Sequence, residues 1–568
     1  MPTPAGSLPS LATHDASFTG EYHSGSTNCT TCHDADRMQV TGPTSDKPKD
    51  LSIGKAWKTS MMALSTRDPY WHAVVADEIH RYPELSDPIN EKCTICHAPM
   101  ARDWSSRDSF TWQLYDSGSK EKGDFVQGVY SMDSSSELFN HAMEGVSCSL
   151  CHQLEGTNFG TPEGMSGNFT VVGSPTGERK DRPAYGQYQN PTSGYMIDKA
   201  EFTPQYGSHL GQSESCATCH NLDVAGFDKE GQPLDVAHFS EQAVFYEWQN
   251  SDFAVGGSQE ASCQDCHMPT AEEPTYLSNS SGPLRENFRE HTFLGSNTIM
   301  QSMIRDFAVE LGVRPENHNP GLDVTTDEDF NESIARNRAF LETSAALSVE
   351  NGGVQDDKLK FDVIVTNLTG HKLPSAYHSR RAWLHVQVLD ASNNVVFESG
   401  AMEADGKIIG VSEDVNPATW EAHYDRITSP TQVQVYQTIV GNSENERTHS
   451  LLNVSHYLKD NRLLPAGYDK MAVQADNTLP ETFGVFGAAL EDDDFIGGSD
   501  TVSYEVSVDG TGSYTVLVEL RYQPFSFGHL MELFTRSDKV EQIDMFRTIY
   551  DRTTLRAETI TTARAQIQ

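Results

Sequence analysis

The sequence predicts an α+β chain: a loop-rich, mostly helical N-terminal region with little regular structure, then an antiparallel β-sandwich. Three observations predict it. All ten cysteines lie before residue 295, in short clusters separated by Gly-, Pro- and polar-rich stretches such as 174–195. Residues 296–344 carry two stretches with helical periodicity. From about 345 onward, apolar and polar residues alternate as they do in half-buried strands.

In the first region the cysteines form five pairs, each with two residues between and a histidine directly after. They read CTTCH (Cys29, Cys32, His33), CTICH (Cys93, Cys96, His97), CSLCH (Cys148, Cys151, His152), CATCH (Cys216, Cys219, His220) and CQDCH (Cys263, Cys266, His267). Two cysteines three apart share one side of a short helical turn, so both reach the vinyl groups of one porphyrin. The next residue then offers an imidazole to the iron. C-x-x-C-H is the attachment signature of c-type haem. Zinc sites also use C-x-x-C, but four ligands would come from two pairs, and five is an odd number to pair. A thioredoxin-like motif occurs once, beside a βαβ pattern. Structural disulfides leave the histidines unexplained. The expectation is five covalent haems, with His33, His97, His152, His220 and His267 as proximal ligands and residues 1–295 as a pentahaem domain.

The sixth iron position separates a closed electron carrier from a catalyst with an open site. Sixteen histidines lie outside the motifs, nine of them before residue 320: His14, His23, His72, His80, His141, His209, His238, His291 and His318. Asp68 and Pro69 read as a helix start, after which His72, Val75 and Ile79 share one face. His141 and His209 each stand seven residues before a motif's first cysteine, and His291 follows the last motif. His80 is out of phase with His72. Each also fits a packed core histidine. Met61, Met62, Met100 and Met268 are alternative ligands, although methionine is commonly a gap filler. His14 and His23 sit on an N-terminal arm that reads as flexible and able to donate a ligand to a second copy.

Residues 296–344 read as a helical connector. Asn297–Leu311 places Ile299, Met300, Met303, Ile304, Phe307 and Leu311 on an apolar face and stops at Gly312. Thr326–Leu341 opens with a capping residue followed by Asp327, Glu328 and Asp329. Residues 345–568 read as the β-sandwich, without haem, and DASNN and DGTGS as hairpin turns. The acidic runs Glu491–Asp494 and Asp323–Asp329 fit no calcium-loop spacing and read as surface turns.

Asp and Glu total 81 against 41 Lys and Arg, a formal net charge of −40. That argues against nucleic acid and anionic membranes and favours cations, mineral surfaces or basic proteins as partners. No apolar run reaches the roughly 18–20 residues of a membrane span. Because haem is attached to such motifs outside the cytoplasmic membrane, the chain is expected to be periplasmic or extracellular. The first residues lack the features of a signal peptide, so a secretion signal is expected to lie outside this numbering.

WKTSMMALSTRDPYW, CTICHAPM, EGVSCSLCH, CATCHNL, FYEWQNSDFA, SCQDCHMP and HTFLGSN, in this order, resemble a broad family of secreted multihaem c-type cytochromes. VTNLTGHKLPSAYHSRRAWLHVQVLD, VQVYQTIV and LKDNRLLPAGYDK are similar to that family's C-terminal β-domain. The resemblance covers most of the chain from about residue 25. His371 in GHKLP matches the family position, where a loop histidine can reach a haem or bond to backbone. Ser375, Ala376 and His378 depart from the usual GHKLPTGYPSRRAWL, which leaves His378 as an extra candidate ligand. The broader group includes cytochromes that polymerise into extracellular haem wires. The resemblance therefore implies electron relay outside the cytoplasm, with other cytochromes, copies of itself or extracellular acceptors as partners. A nitrogen- or sulfur-oxyanion reductase with one open haem is the alternative; no motif ends in lysine, and histidines are in surplus.

Overall fold

The computed structural model describes residues 8, 11–34, 38–40, 49–107, 134, 138–234, 239–280, 282–317, 324–475, 483–510 and 512–568. His238, His318 and Asp323 lie outside the described residues. The chain forms two units, each built from three segments: 1–219, 263–337 and 536–550 in one, 220–262, 338–535 and 551–568 in the other. This differs from a linear division at 295 and 345. Residues 220–262 join the strands, the connector is split within its second helix, and 536–550 return to the motif-bearing unit. Periodicity reports which face a segment buries, not which distant segment covers it.

The motif-bearing unit is made of short helices and two-stranded ribbons. In the helix Pro69–Arg81, the Asp68 side chain accepts from the amides of Tyr70 (2.9 Å) and Trp71 (3.2 Å), and proline occupies the first turn. His72, Val75 and Ile79 are buried together on one face, as the spacing predicts. Tyr70 packs on Phe546 at 5.2 Å, and Arg536 Nη2 bonds Asp77 at 2.9 Å, which ties 536–550 to this helix. The helix Thr298–Asp306 buries Ile299, Met300, Met303 and Ile304. The chain turns at Gly312, whose φ of +65° and close approach to the Ala12 carbonyl both exclude a side chain. The helix Asp327–Glu342 starts with a reciprocal cap: Asp329 Oδ2 accepts from the Thr326 amide at 2.8 Å, and Thr326 Oγ1 accepts from the Asp329 amide at 3.2 Å.

Besides a two-stranded ribbon of Asn221–Val224 and Phe239–Ala243, the described residues of the second unit form ten strands in two sheets: β1 Ala345–Gln355, β2 Lys358–Asn367, β3 Arg381–Leu389, β4 Val395–Ser399, β5 Arg426–Ile427, β6 Val435–Gly441, β7 His456–Asp460, β8 Ser499–Ser507, β9 Tyr514–Gln523 and β10 Glu558–Ile567. One sheet has the order β5-β8-β2-β1; the other has β7-β6-β3-β9-β10, with β4 also on β3. β2, β8 and β9 alternate buried and part-exposed residues, and their inward positions meet in one core. Phe361, Val363, Val502 and Tyr504 come from the first sheet; Leu384, Val386, Val516 and Val518 come from the second. Phe361 and Tyr504 stack at 5.0 Å.

Two expectations are corrected. DASNN does turn the β3–β4 hairpin, but DGTGS carries the chain from β8 in one sheet to β9 in the other, so it is a crossover. The sandwich is also not wholly antiparallel, because β5 pairs with β8 in parallel, Arg426 opposite Ser503. Among the described residues no helix is long and apolar enough to cross a membrane.

Candidate cofactor site

Each C-x-x-C-H motif is wound into a helical turn. Cys29 sits in the helix Thr27–Thr30, Cys93–His97 ends the helix Ser86–His97, and Cys148–Cys151 forms a turn of its own. Cys216–His220 ends the helix Ser213–His220, and Cys263–His267 is the fifth turn. The His33 amide bonds the Cys29 carbonyl at 3.0 Å, and the His152 amide bonds that of Cys148 at 3.0 Å. The first cysteine and the histidine are thus four apart on one face, with the second cysteine three along.

None of the ten cysteines is in a disulfide, and none is buried; nine are part-exposed and Cys266 is exposed. The Cys29 thiol bonds that of Cys148, Cys96 that of Cys219, and Cys216 that of Cys263. The neighbouring thiol and then desolvation of the sulfur itself push Cys148, Cys216 and Cys219 well up, the same contacts push Cys29 and Cys263 down, and desolvation lifts the Cys151 thiol to about 11. The contacts also place the first motif beside the third, the second beside the fourth, and the fourth beside the fifth.

Four motif histidines are anchored the same way. Nδ1 of His33 donates to the Leu277 carbonyl (2.5 Å), of His97 to Ser65 (3.2 Å), of His152 to Tyr185 (2.5 Å) and of His267 to Leu294 (2.6 Å). A carbonyl only accepts, so Nδ1 carries the proton and Nε2 the lone pair. This is the tautomer and orientation that a metal-ligating histidine takes from its supporting hydrogen bond. No pattern in the sequence points to these carbonyls. Trp71 stacks on His97 at 4.6 Å and 5°. His220 falls in the other unit; desolvation first, then Arg380 and His371, push its pKa down.

The remaining candidates differ sharply. His141 is buried with no partner on either ring nitrogen among the described residues, held between Phe18 (4.2 Å) and Trp104 (4.7 Å). Burial and then His23 lower it to about 3, so the ring is neutral. His291 donates Nδ1 to the Arg289 carbonyl at 2.9 Å, and its ring lies nearly parallel to His152 (18°) with centroids 6.2 Å apart. Burial, then His152, push it to about 3. His371 donates Nδ1 to the Lys372 carbonyl at 3.0 Å. His72 and His209 instead direct Nε2 to a carbonyl, Thr66 at 2.7 Å and Leu154 at 2.9 Å. His80 is part-exposed, and Met100 is buried with its sulfur bonded by Ser149 Oγ at 3.3 Å.

The arm that carries His14 and His23 is packed on its own chain. His14 bonds Glu144 at 2.9 Å and Arg67 at 2.6 Å, engaging both ring nitrogens. His23 is fully buried and bonds Asp103 at 2.8 Å. Both are fixed within their own chain by charged partners more than fifty residues away, which no local pattern could reveal. His378 lies in the β-rich unit, 5.6 Å from His529, which in turn meets His449 with the two Nδ1 atoms 3.3 Å apart. His378 stood out only by its departure from the family pattern, and no local pattern points to His449 or His529.

No family model matches the chain, and no curated protein matches it. Among solved structures, the crystal structure of a penta-heme cytochrome c552 from Thermochromatium tepidum is similar, with a TM-score of 0.45 and 15% identity over 91% of this chain and 96% of that one.

Proposed function

We propose that the chain is a pentahaem c-type cytochrome that relays electrons outside the cytoplasm. The observation that carries this is one construction repeated five times: a helical turn that presents two cysteines and a histidine, with no cysteine left over. In four of the five, Nδ1 is fixed on a carbonyl. Haem, when bound, supplies reversible one-electron exchange at iron. The ten cysteines would hold five such groups, and His33, His97, His152, His220 and His267 would ligate them.

His141, His291 and His371 are the best placed second ligands. His141 is a buried neutral imidazole with no other partner among the described residues. His291 has its Nδ1 anchored beside His152, and His371 lies beside His220. Closed six-coordinate irons suit relay rather than catalysis, and the thiol contacts between motifs support short paths from haem to haem. The partners would be other cytochromes, copies of itself or extracellular acceptors. The charge of −40 favours basic or cation-bearing surfaces.

EPR and carbon monoxide difference spectra test the coordination. All five haems should be low-spin and inert to carbon monoxide. His141→Ala and His291→Ala should each convert one haem to a high-spin, carbon monoxide-binding form. A stoichiometric open haem in the unaltered protein would favour the reductase reading instead.

A further inference from the structure

The β-rich unit gathers four carboxylates from two stretches that are far apart in sequence, Asp425 in one and Asp492, Asp494 and Asp500 in the other. One oxygen each of Asp425, Asp492 and Asp494 lie within 4.8 Å of one another, and Asp492 forms a second such group with His423 and Asp500. Asp425 leads into β5, Asp492 and Asp494 belong to the loop before β8, and Asp500 lies on β8. Asp425 and Asp494 are exposed; Asp492, Asp500 and His423 are buried beneath them.

An acidic turn alone would be unremarked surface, but Asp500 is not surface. Its side chain is fully buried, and Oδ2 is satisfied by the Tyr436 hydroxyl (2.6 Å) and Gln434 Nε2 (3.1 Å). Oδ1 has no hydrogen-bond donor among the described residues and lies 3.9 Å from His423 Nε2, in the group that shares Asp492 with the outer carboxylates. An unsatisfied buried carboxylate oxygen is costly unless a cation or a donor meets it.

The hydrogen bonds around His423 decide which cation fits. Gln434 Oε1 accepts from the Tyr424 amide (2.8 Å), so its Nε2 is the atom that donates to His423 Nδ1 at 2.9 Å. Asn461 Oδ1 accepts from the Gln437 amide (3.0 Å), so its Nδ2 donates to the same Nδ1 at 3.0 Å. His423 Nδ1 is therefore an acceptor and Nε2 carries the proton, donating to Asp492 Oδ2 at 3.1 Å. The imidazole offers the cluster an N–H and no lone pair, so the ligands are oxygens only. That excludes zinc-type chemistry and selects a hard cation; an irregular oxygen set drawn from separate segments suits calcium better than the strict octahedron of magnesium.

We propose that Asp425, Asp492 and Asp494 are the protein ligands of a calcium site, with the buried Asp500 carboxylate behind them. The Lys470 ammonium bonds the Asp492 main-chain carbonyl and leaves the four carboxylates in excess. Bound calcium would clip β5 and the loop before β8 together where β5 pairs with β8 at one edge of its sheet.

Calorimetric titration of chelator-treated full-length protein with calcium chloride tests this. One calcium should bind per chain, and a roughly hundredfold excess over the dissociation constant should raise the thermal midpoint by roughly 5 °C. Asp425→Asn and Asp494→Asn, both at exposed positions, should weaken binding at least roughly tenfold and remove the shift, while Asp405→Asn should change neither. Absence of binding at millimolar calcium, or unchanged binding in both variants, would overturn the proposal. So would zinc taking the site in place of calcium and losing it on His423→Gln.

Discussion

Replacing Arg381 with methionine is expected to destabilise the β-rich unit by about 3–5 kcal/mol, the usual cost of removing one partner from a buried ion pair. Arg381 is fully buried. Its Nη1 bonds Glu413 Oε1 (2.6 Å) and Asp414 Oδ1 (2.7 Å), its Nη2 bonds Asp414 Oδ2 (2.8 Å) and its Nε bonds Gln523 (2.9 Å). Burial opposes the charge, but Asp414 and Glu413 outweigh it and push the guanidinium further up. Arg447 reaches Glu413 at 2.7 Å but bridges no oxygen of Asp414. Without Arg381, the Asp414 carboxylate keeps the Ile408 amide at 2.7 Å and no cation. Urea unfolding followed by far-UV circular dichroism would measure the loss. Combining R381M with D414N should recover a large part of it, because a neutral side chain is far less costly to bury. A loss below about 1 kcal/mol for R381M alone would show that the pair is better solvated than its burial implies.

Acidification from pH 7 to pH 5 is expected to cost the same unit on the order of 4 kcal/mol. The groups responsible are His378, His449 and His529. Burial, the first cause in each, holds His378 and His529 well below 6.5; burial and then Arg447 bring His449 to about 3. The unfolded chain takes up these protons as pH falls through about 6.5, and the folded chain does not. Stability is therefore full above pH 6.5 and declines as pH drops, by about 1.4 kcal/mol per unit for each histidine. Glu413 and Glu532, which face the cluster, moderate the effect, and Asp494, lifted to about 6, works in the opposite direction. Urea midpoints at the two pH values measure the change, and His529→Gln should flatten the dependence by about one histidine. A midpoint that does not fall between pH 7 and pH 5 would mean that these rings are protonated in the fold.

What the sequence made legible is local or periodic. The five motifs, the Asp68 cap with its buried His72 face, the Thr326 cap and the alternation in β2, β8 and β9 all follow from side-chain type and spacing. What it hid are partners distant in the chain. Leu277 serves His33 across 244 residues, and a main-chain carbonyl carries no residue signature. His14 and His23 looked unattached because Glu144 and Asp103 are remote. The EDDD run fitted no calcium spacing because Asp425 joins the cluster from a remote segment and Asp500 from the strand that follows. DGTGS has good turn chemistry, but chemistry alone does not say whether the next strand joins the same sheet.

The most direct test is the intact mass of the matured protein, read together with its haem absorbance. Five covalent haems per chain, with all ten cysteines consumed as thioethers, is the result expected. Four or fewer haems in fully matured protein, or stoichiometric zinc bound to the cysteines, would contradict it.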